Sequence, residues 1–206
     1  SNLLHISTDF VFNGTQGHPY HPNQKRQPIG MYGKSKAAGE SAIEDVLLRK
    51  NLGHIIRTSW LIGPEGNNFA KSMLKLFSLK EEIKVVSDQI GTPTSTLSLA
   101  NACWQLIHIK EERKNIIPFF LHWSEAGVAS WYDLALAILE FSKELNLIKT
   151  SPIIQPIKAS EYSKTQIRPY YSVLDCYESY QTLNIEAKNW RYALKEVLQL
   201  IKDRSD

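Results

Sequence analysis

The stretch LLHISTDFVFNG, residues 3–14, decides the fold. Leu3, Leu4 and Ile6 form a short apolar run that passes at once into Ser7, Thr8 and Asp9. Such a run predicts a buried strand whose C-terminal end delivers polar groups into a crevice. Residues 13–30 then hold three Gly and three Pro among many polar side chains. They are expected to form a long surface loop, of the kind that is functional or mobile. Helix-forming composition follows over residues 32–49, with Ala37, Ala38, Ile43, Val46 and Leu47 near one stripe. Pro28 and Gly30 mark the boundary before it.

Further along, residues 54–58 (HIIRT), 83–86 and 119–123 read as strands, whereas 68–79, 97–109, 131–145 and 190–202 carry helical spacing. Residues 88–94 (DQIGTPT) break structure with Gly91 and Pro93. The last third otherwise alternates Pro-containing loops with the terminal helix. Strands alternating with helices predict an α/β protein with a mainly parallel sheet.

Composition narrows the function classes. The chain has 206 residues, 43% of them hydrophobic and 22% charged, enough for one core or a core plus a small lobe and too apolar for disorder as the main state. A net charge of +3, with no run of Lys or Arg longer than two, argues against a nucleic-acid partner. Cys103 and Cys176 lie far apart with no CxxC, and read as reduced thiols. The six histidines form no HExxH or similar set, so no metal site is expected. No apolar run approaches the roughly 18 residues that cross a bilayer, and the start lacks a signal-type pattern, so a cytoplasmic protein is expected.

Tyr32 and Lys36 stand four apart at the start of a predicted helix, which places both side chains on one face. An ammonium beside a phenol favours its ionised form and so eases proton transfer. Spacing alone is weak evidence, and an exposed tyrosine beside a solvated lysine is the plain alternative. The strand ending in Ser7, Thr8 and Asp9 strengthens the chemical reading, because ligands bind at the strand ends of open parallel sheets. Ser35 has no base at nucleophile spacing, so a hydrolase triad is not supported.

The segments ISTDFVFNG (6–14), YGKSKAAGE (32–40), RTSWLIG (57–63), NNFAKSML (67–74), DQIGTPT (88–94), SWYDLA (130–135) and RPYYSVLD (168–175) occur in the order and spacing of dTDP-4-dehydrorhamnose reductases. The chain thus resembles that family, within the extended short-chain dehydrogenase/reductase superfamily. The resemblance implies the C-terminal part of a Rossmann-like parallel sheet with a small α/β substrate-binding lobe. It places a partial Rossmann-like catalytic region over residues 1–86. Residues 87–206 are expected to form mainly the sugar-nucleotide-binding lobe, interleaved with returning Rossmann elements.

In residue terms the resemblance makes Tyr32 the catalytic acid and Lys36 the lysine that holds the nicotinamide ribose and eases the tyrosine's ionisation. Thr8 stands where the superfamily has its Ser or Thr against the keto oxygen. Asp9 and Trp60 fall at positions that contact the dTDP-sugar. Asn67, Asn68 and Phe69 resemble part of the same pocket, with a helix cap and a core aromatic as an equal alternative. Gln89 and the turn after it either shape that pocket or only fix the chain path. Arg168 either neutralises a diphosphate or forms a structural ion pair. Trp131 and Tyr132 are expected to pack in the lobe. The implied cofactor is NADPH or NADH, and the implied partner is a dTDP-sugar.

One departure stands out. No GxxGxxG or GxGxxG occurs in these residues, although dinucleotide-binding folds hold the pyrophosphate with such a turn. In relatives the motif lies in a segment of roughly 90 to 100 residues before the equivalent of Leu3. The chain is therefore expected to be the C-terminal two-thirds of a reductase, with an exposed edge on its first strand that invites a homodimer or pairing with the missing N-terminal half. Alone it would be inactive. The competing reading is a non-catalytic homologue of the type of the methionine adenosyltransferase regulatory subunit, and a third keeps the chemistry on another nucleotide sugar.

Overall fold

The computed structural model describes residues 2–112, 117–162 and 167–204. Three parallel strands form the central sheet: β1 (Leu3–Thr8), β2 (Gly53–Thr58) and, later in the chain, the strand Phe120–Trp123. Between β1 and β2 runs α1 (Met31–Leu47), and Thr8 ends β1 by capping a single 3-10 turn at Asp9–Val11. After β2 come β3 (Leu61–Ile62), α2 (Phe69–Leu79), β4 (Glu82–Val86), β5 (Ile90–Gly91), β6 (Thr94–Ser95) and α3 (Thr96–Glu112). The third sheet strand is then β7, followed by β8 (Ala129–Ser130), α4 (Trp131–Glu144) and β9 (Ile153–Ile157). Three helices finish the chain: α5 (Ala159–Tyr162), α6 (Tyr177–Leu183) and α7 (Trp190–Asp203).

The sheet order is β1-β2-β7, every pair parallel, so the α/β reading of the sequence holds. β2 is buried along its whole length, as a central parallel strand should be. β1 is paired on one side only among the described residues. Register sets Ser7, Arg57 and His122 side by side in one row and Thr8, Thr58 and Trp123 in the next. Because side chains alternate across a strand, successive rows face opposite layers.

One layer is a cluster of Ile56, Leu99, Ala102, Leu106, Leu121, Trp123 and Leu183 between the sheet, α3 and α6. A separate core surrounds α4, where Ile62, Met73, Phe77, Leu134, Ile138, Phe141, Leu194 and Leu198 pack together from α2, α4 and α7. The cores cross residue 86 in sequence: α2 and β4 before it join α4 and α7, while α3 and β7 after it join the sheet. Ser130 begins α4 with a reciprocal cap, its hydroxyl accepting from Asp133 N while the Asp133 carboxylate accepts from Ser130 N.

The last third holds more regular structure than its prolines predict. β9 contains Pro156 yet pairs with β4 along its full length, Val85 opposite Pro156. A proline is tolerated there because β9 is an edge strand whose other side needs no donor. The loop at residues 13–30 is also pinned. Tyr20 is buried, donates its backbone N–H to Val173 O at 2.9 Å and accepts from Asp175 N at 2.9 Å. Cys103 and Cys176 are both free thiols. Among the described residues no helix is long and apolar enough to cross a membrane.

Candidate active site

At the C-terminal end of β1 the Thr8 hydroxyl accepts from Phe10 N at 3.2 Å and donates to Asp9 Oδ1 at 3.0 Å. Asp9 is buried, and its Oδ2 has no hydrogen-bond partner. Burial pushes this carboxyl up to about 7, with hydrogen bonds from Ser172 and Thr8 pulling part of the way back. One strand across, in the row of Thr8, the buried Thr58 Oγ1 is likewise without a partner. Two orphan polar atoms at adjacent strand ends mark a place where a ligand or water is expected, since such groups are costly when left unpaired.

α1 begins directly over this edge. Tyr32, in its first turn, is 58% exposed and lies edge-on to Phe10, ring centroids 5.9 Å apart. Its hydroxyl has no hydrogen-bond partner among the described residues. Gly33 permits the close approach: a Cβ there would sit 2.2 Å from Phe10 O. One turn deeper, Lys36 Nζ donates to Ile6 O at 2.7 Å and stands 3.5 Å from His5 Nε2. The His5 imidazolium is disfavoured by burial and by the Lys36 charge. Lys36 is thus anchored on the strand and not on the tyrosine.

Three of the remaining predicted residues gather at a second place. A cavity of about 730 Å³ is lined by Phe69, Gln89, Trp131, Tyr162 and Arg168, with Lys80 and Lys84 also on its wall. Trp60 stacks on Trp131 and abuts Gly91, where a Cβ would lie 2.5 Å from its ring. Its backbone is left-handed, φ 45°, a conformation that a bulky residue adopts only when its surroundings hold it there. Asn68 caps α2, accepting from Lys71 N at 3.2 Å and donating to Gly63 O at 2.8 Å. Of its two readings the structure shows the cap. Asn67 is exposed.

The turn after Gln89 also fixes the chain path, Thr92 O accepting from Ser59 Oγ at 2.8 Å. The structure therefore brings Thr8, Asp9, Tyr32 and Lys36 together at the sheet edge, and Phe69, Gln89 and Arg168 around the cavity. The Trp60–Trp131 stack joins the two. Sequence reasoning missed Trp131 as a cavity wall; its place at the start of a capped helix was readable, its partner was not. Among the described residues no group of three or more His, Cys, Asp or Glu is arranged to hold a metal ion.

A parallel sheet with a tyrosine and a lysine on successive turns of the helix over its C-terminal edge, beside an aromatic-walled cavity, defines a Rossmann-like α/β protein. Comparison with known proteins resolves the class further. The chain belongs to the RmlD substrate binding domain family, whose model matches residues 1–202.

It is 41% identical to the spore coat polysaccharide biosynthesis protein SpsK of Bacillus subtilis over 97% of this chain and 64% of that protein. A dTDP-4-dehydrorhamnose reductase structure from Clostridium acetobutylicum superposes with a TM-score of 0.84 at 33% identity, covering 98% of this chain and 66% of that one. The Bacillus anthracis dTDP-4-dehydrorhamnose reductase in complex with NADP gives 0.82 at 32% identity, over 97% and 66%. The chain thus spans about two thirds of the length of these relatives.

Proposed function

We propose that this chain supplies the proton donor and the sugar-nucleotide lobe of a reductase that converts dTDP-4-dehydro-β-L-rhamnose to dTDP-L-rhamnose for cell-surface polysaccharide. The observation that carries the reading is the placement of Tyr32 and Lys36 on consecutive turns of α1 above the C-terminal end of β1. The family likeness and the neighbouring cavity support it. On this reading the protein works in the cytoplasm, where thiols such as Cys103 stay reduced.

The residues present fit one end of a nicotinamide dinucleotide. Tyr32 offers an exposed hydroxyl without an internal partner, and Lys36 lies one turn deeper with its ammonium already held at the strand. When bound, NADPH or NADH supplies the hydride that adds to sugar C4. Tyr32 gives its phenolic proton to the C4 oxygen as negative charge develops there, so the keto group becomes a hydroxyl and the tyrosine is reprotonated from solvent. Thr8 steadies the same oxygen by turning its hydroxyl proton from Asp9 Oδ1 to it, while its oxygen goes on accepting from Phe10 N. Lys36, one turn deeper, would hold the ribose hydroxyls of that cofactor, and from there its charge would favour the tyrosinate left behind. Asp9 and Trp60 face the sugar, while Phe69 packs on the nucleotide and Arg168 takes the diphosphate.

The rest of the dinucleotide needs a Gly-rich turn on a βα unit. The test of the sugar-nucleotide half is direct. Titration of the chain with dTDP should quench tryptophan emission, because Trp131 lines the cavity and Trp60 stacks on it. Phe69→Ala should weaken that binding by about tenfold, the worth of one base-stacking contact. A chain that stays folded but shows no dTDP-dependent change would overturn the assignment.

A further inference from the structure

Beneath the site lies a buried ionic cluster that the chemistry above does not use. Tyr32, Lys36 and Glu40 occupy successive turns of α1 and so share one face. Glu40 is completely buried. Its carboxylate accepts from Arg57 Nη2 at 2.7 Å and from Arg57 Nε at 3.0 and 3.2 Å, from Arg26 Nη1 at 3.3 Å and from Ser7 Oγ at 2.5 Å. Arg57 in turn donates to Pro22 O at 2.7 Å and stands 3.3 Å from His122 Nε2.

Ser7, Arg57 and His122 are the single row of cross-strand neighbours described above. One carboxylate on α1 is therefore fastened to β1 and, through Arg57, to β2 and the loop at Pro22. Apolar packing would hold a helix on a sheet without this cost, since a buried ion pair is weak evidence for stability and its best-attested use is to fix register.

The consequence for the site follows from adjacency. The Ser7–Glu40 bond and the Lys36–Ile6 bond join neighbouring residues of β1 to neighbouring turns of α1. Together they leave the helix no freedom to slide along the strand. Thr8 is the next residue on β1 and Tyr32 the next turn toward the start of α1.

We propose that Glu40, acting with Ser7 and Arg57, is a positioning residue that sets the register of α1 on β1 and thereby holds the Lys36 ammonium at the Ile6 carbonyl. Its importance for catalysis rests on the reductase reading, but the register itself does not. The lock predicts that losing the Ser7 hydroxyl loosens Lys36 first, with the Glu40–Arg57 pair still in place.

The experiment is trace acetylation of the full chain, unliganded, with the Lys36 rate read by mass spectrometry against Lys110, which is held by Asn51 on another part of the surface. Ser7→Ala should raise the Lys36-to-Lys110 ratio about tenfold, the worth of one charge-assisted hydrogen bond. Ser7→Thr, which keeps the hydroxyl, should leave the ratio near that of the unsubstituted chain. Glu40→Gln should raise it at least as far if that chain folds, and Ser7→Ala decides the matter if it does not.

An unchanged ratio in Ser7→Ala, an equal rise at Lys36 and Lys110, or a Ser7→Thr chain as reactive as Ser7→Ala overturns the proposal. No cofactor or sugar enters the measurement. It can therefore fail while the reductase reading stands, and succeed while that reading fails in a turnover assay.

Discussion

Trp60 and Trp131 lie face to face, ring centroids 3.6 Å apart and planes within 6° of parallel. The first follows β2 by two residues and the second opens α4, so the stack ties the edge of the central sheet to the core of the lobe. Phe69 extends the contact, 4.9 Å from Trp131.

Gly91 closes the far side of this stack, and a Cβ there would press 2.5 Å from the Trp60 ring. Trp60 has no room to yield, being backed by Trp131. Gly91→Ala should cost about 1–3 kcal/mol, the usual range for overpacking, and should shift the tryptophan emission. Denaturant unfolding followed by fluorescence checks both, and an unshifted spectrum at unchanged stability would show that the stack is looser than described.

Gly33→Ala tests the seat of α1 on the 3-10 turn. The added methyl would meet Phe10 O at 2.2 Å, a backbone atom that cannot swing aside. The first turn of α1 must lift, at a cost of about 1–3 kcal/mol, and Tyr32 must move with it. Thermal unfolding measures the first effect and, on the proposed reading, loss of turnover in the native protein carrying this chain measures the second.

Tyr32→Phe separates stability from chemistry. The ring keeps its contact with Phe10, and the hydroxyl has no partner among the described residues. Stability should therefore change by no more than about 0.5 kcal/mol, with dTDP binding intact. A large loss of stability would mean that the hydroxyl is structural.

Buried Asp9 and His122 make opposite contributions to the pH dependence of stability. The Asp9 carboxyl rises from 3.8 to about 7 on folding, so its contribution is fully present below 3.8 and is lost as pH rises through 7. His122 is held well below 6.5 by burial and by the Arg57 charge, so its contribution is present above 6.5 and is lost as pH falls. Asp9→Asn removes the first term. The variant should gain about 1–4 kcal/mol relative to the unsubstituted chain on going from pH 4 to pH 8. Urea titrations at the two pH values measure this difference, and a pH-independent difference would contradict it.

Much of the scaffold is readable without coordinates because hydrophobic period and strand composition agree locally. The helix expected at 131–145 is found at Trp131–Glu144, and the strand at 54–58 is found at Gly53–Thr58. β9 escapes because Pro152 and Pro156 mimic a loop, and only pairing with β4 makes the strand. The Tyr32–Lys36 pair is legible because it is local to one helix. Arg57, Glu40 and His122 are not, since strand register and helix packing bring them together across long stretches of chain. Asn68 shows the limit of composition: an asparagine before a helix suits a pocket or a cap equally, and its contact with Lys71 N decides.

The central claim is that Tyr32 gives the proton in reduction of a dTDP-4-dehydro sugar. Its most direct test follows the loss of nicotinamide absorbance when the native protein carrying this chain is mixed with NADPH and enzymatically made dTDP-4-dehydrorhamnose, beside its Tyr32→Phe variant. Oxidation by the unsubstituted protein and none above background by the folded, dTDP-binding variant is the expected result. Equal rates for the two proteins would contradict the assignment of Tyr32 as the acid.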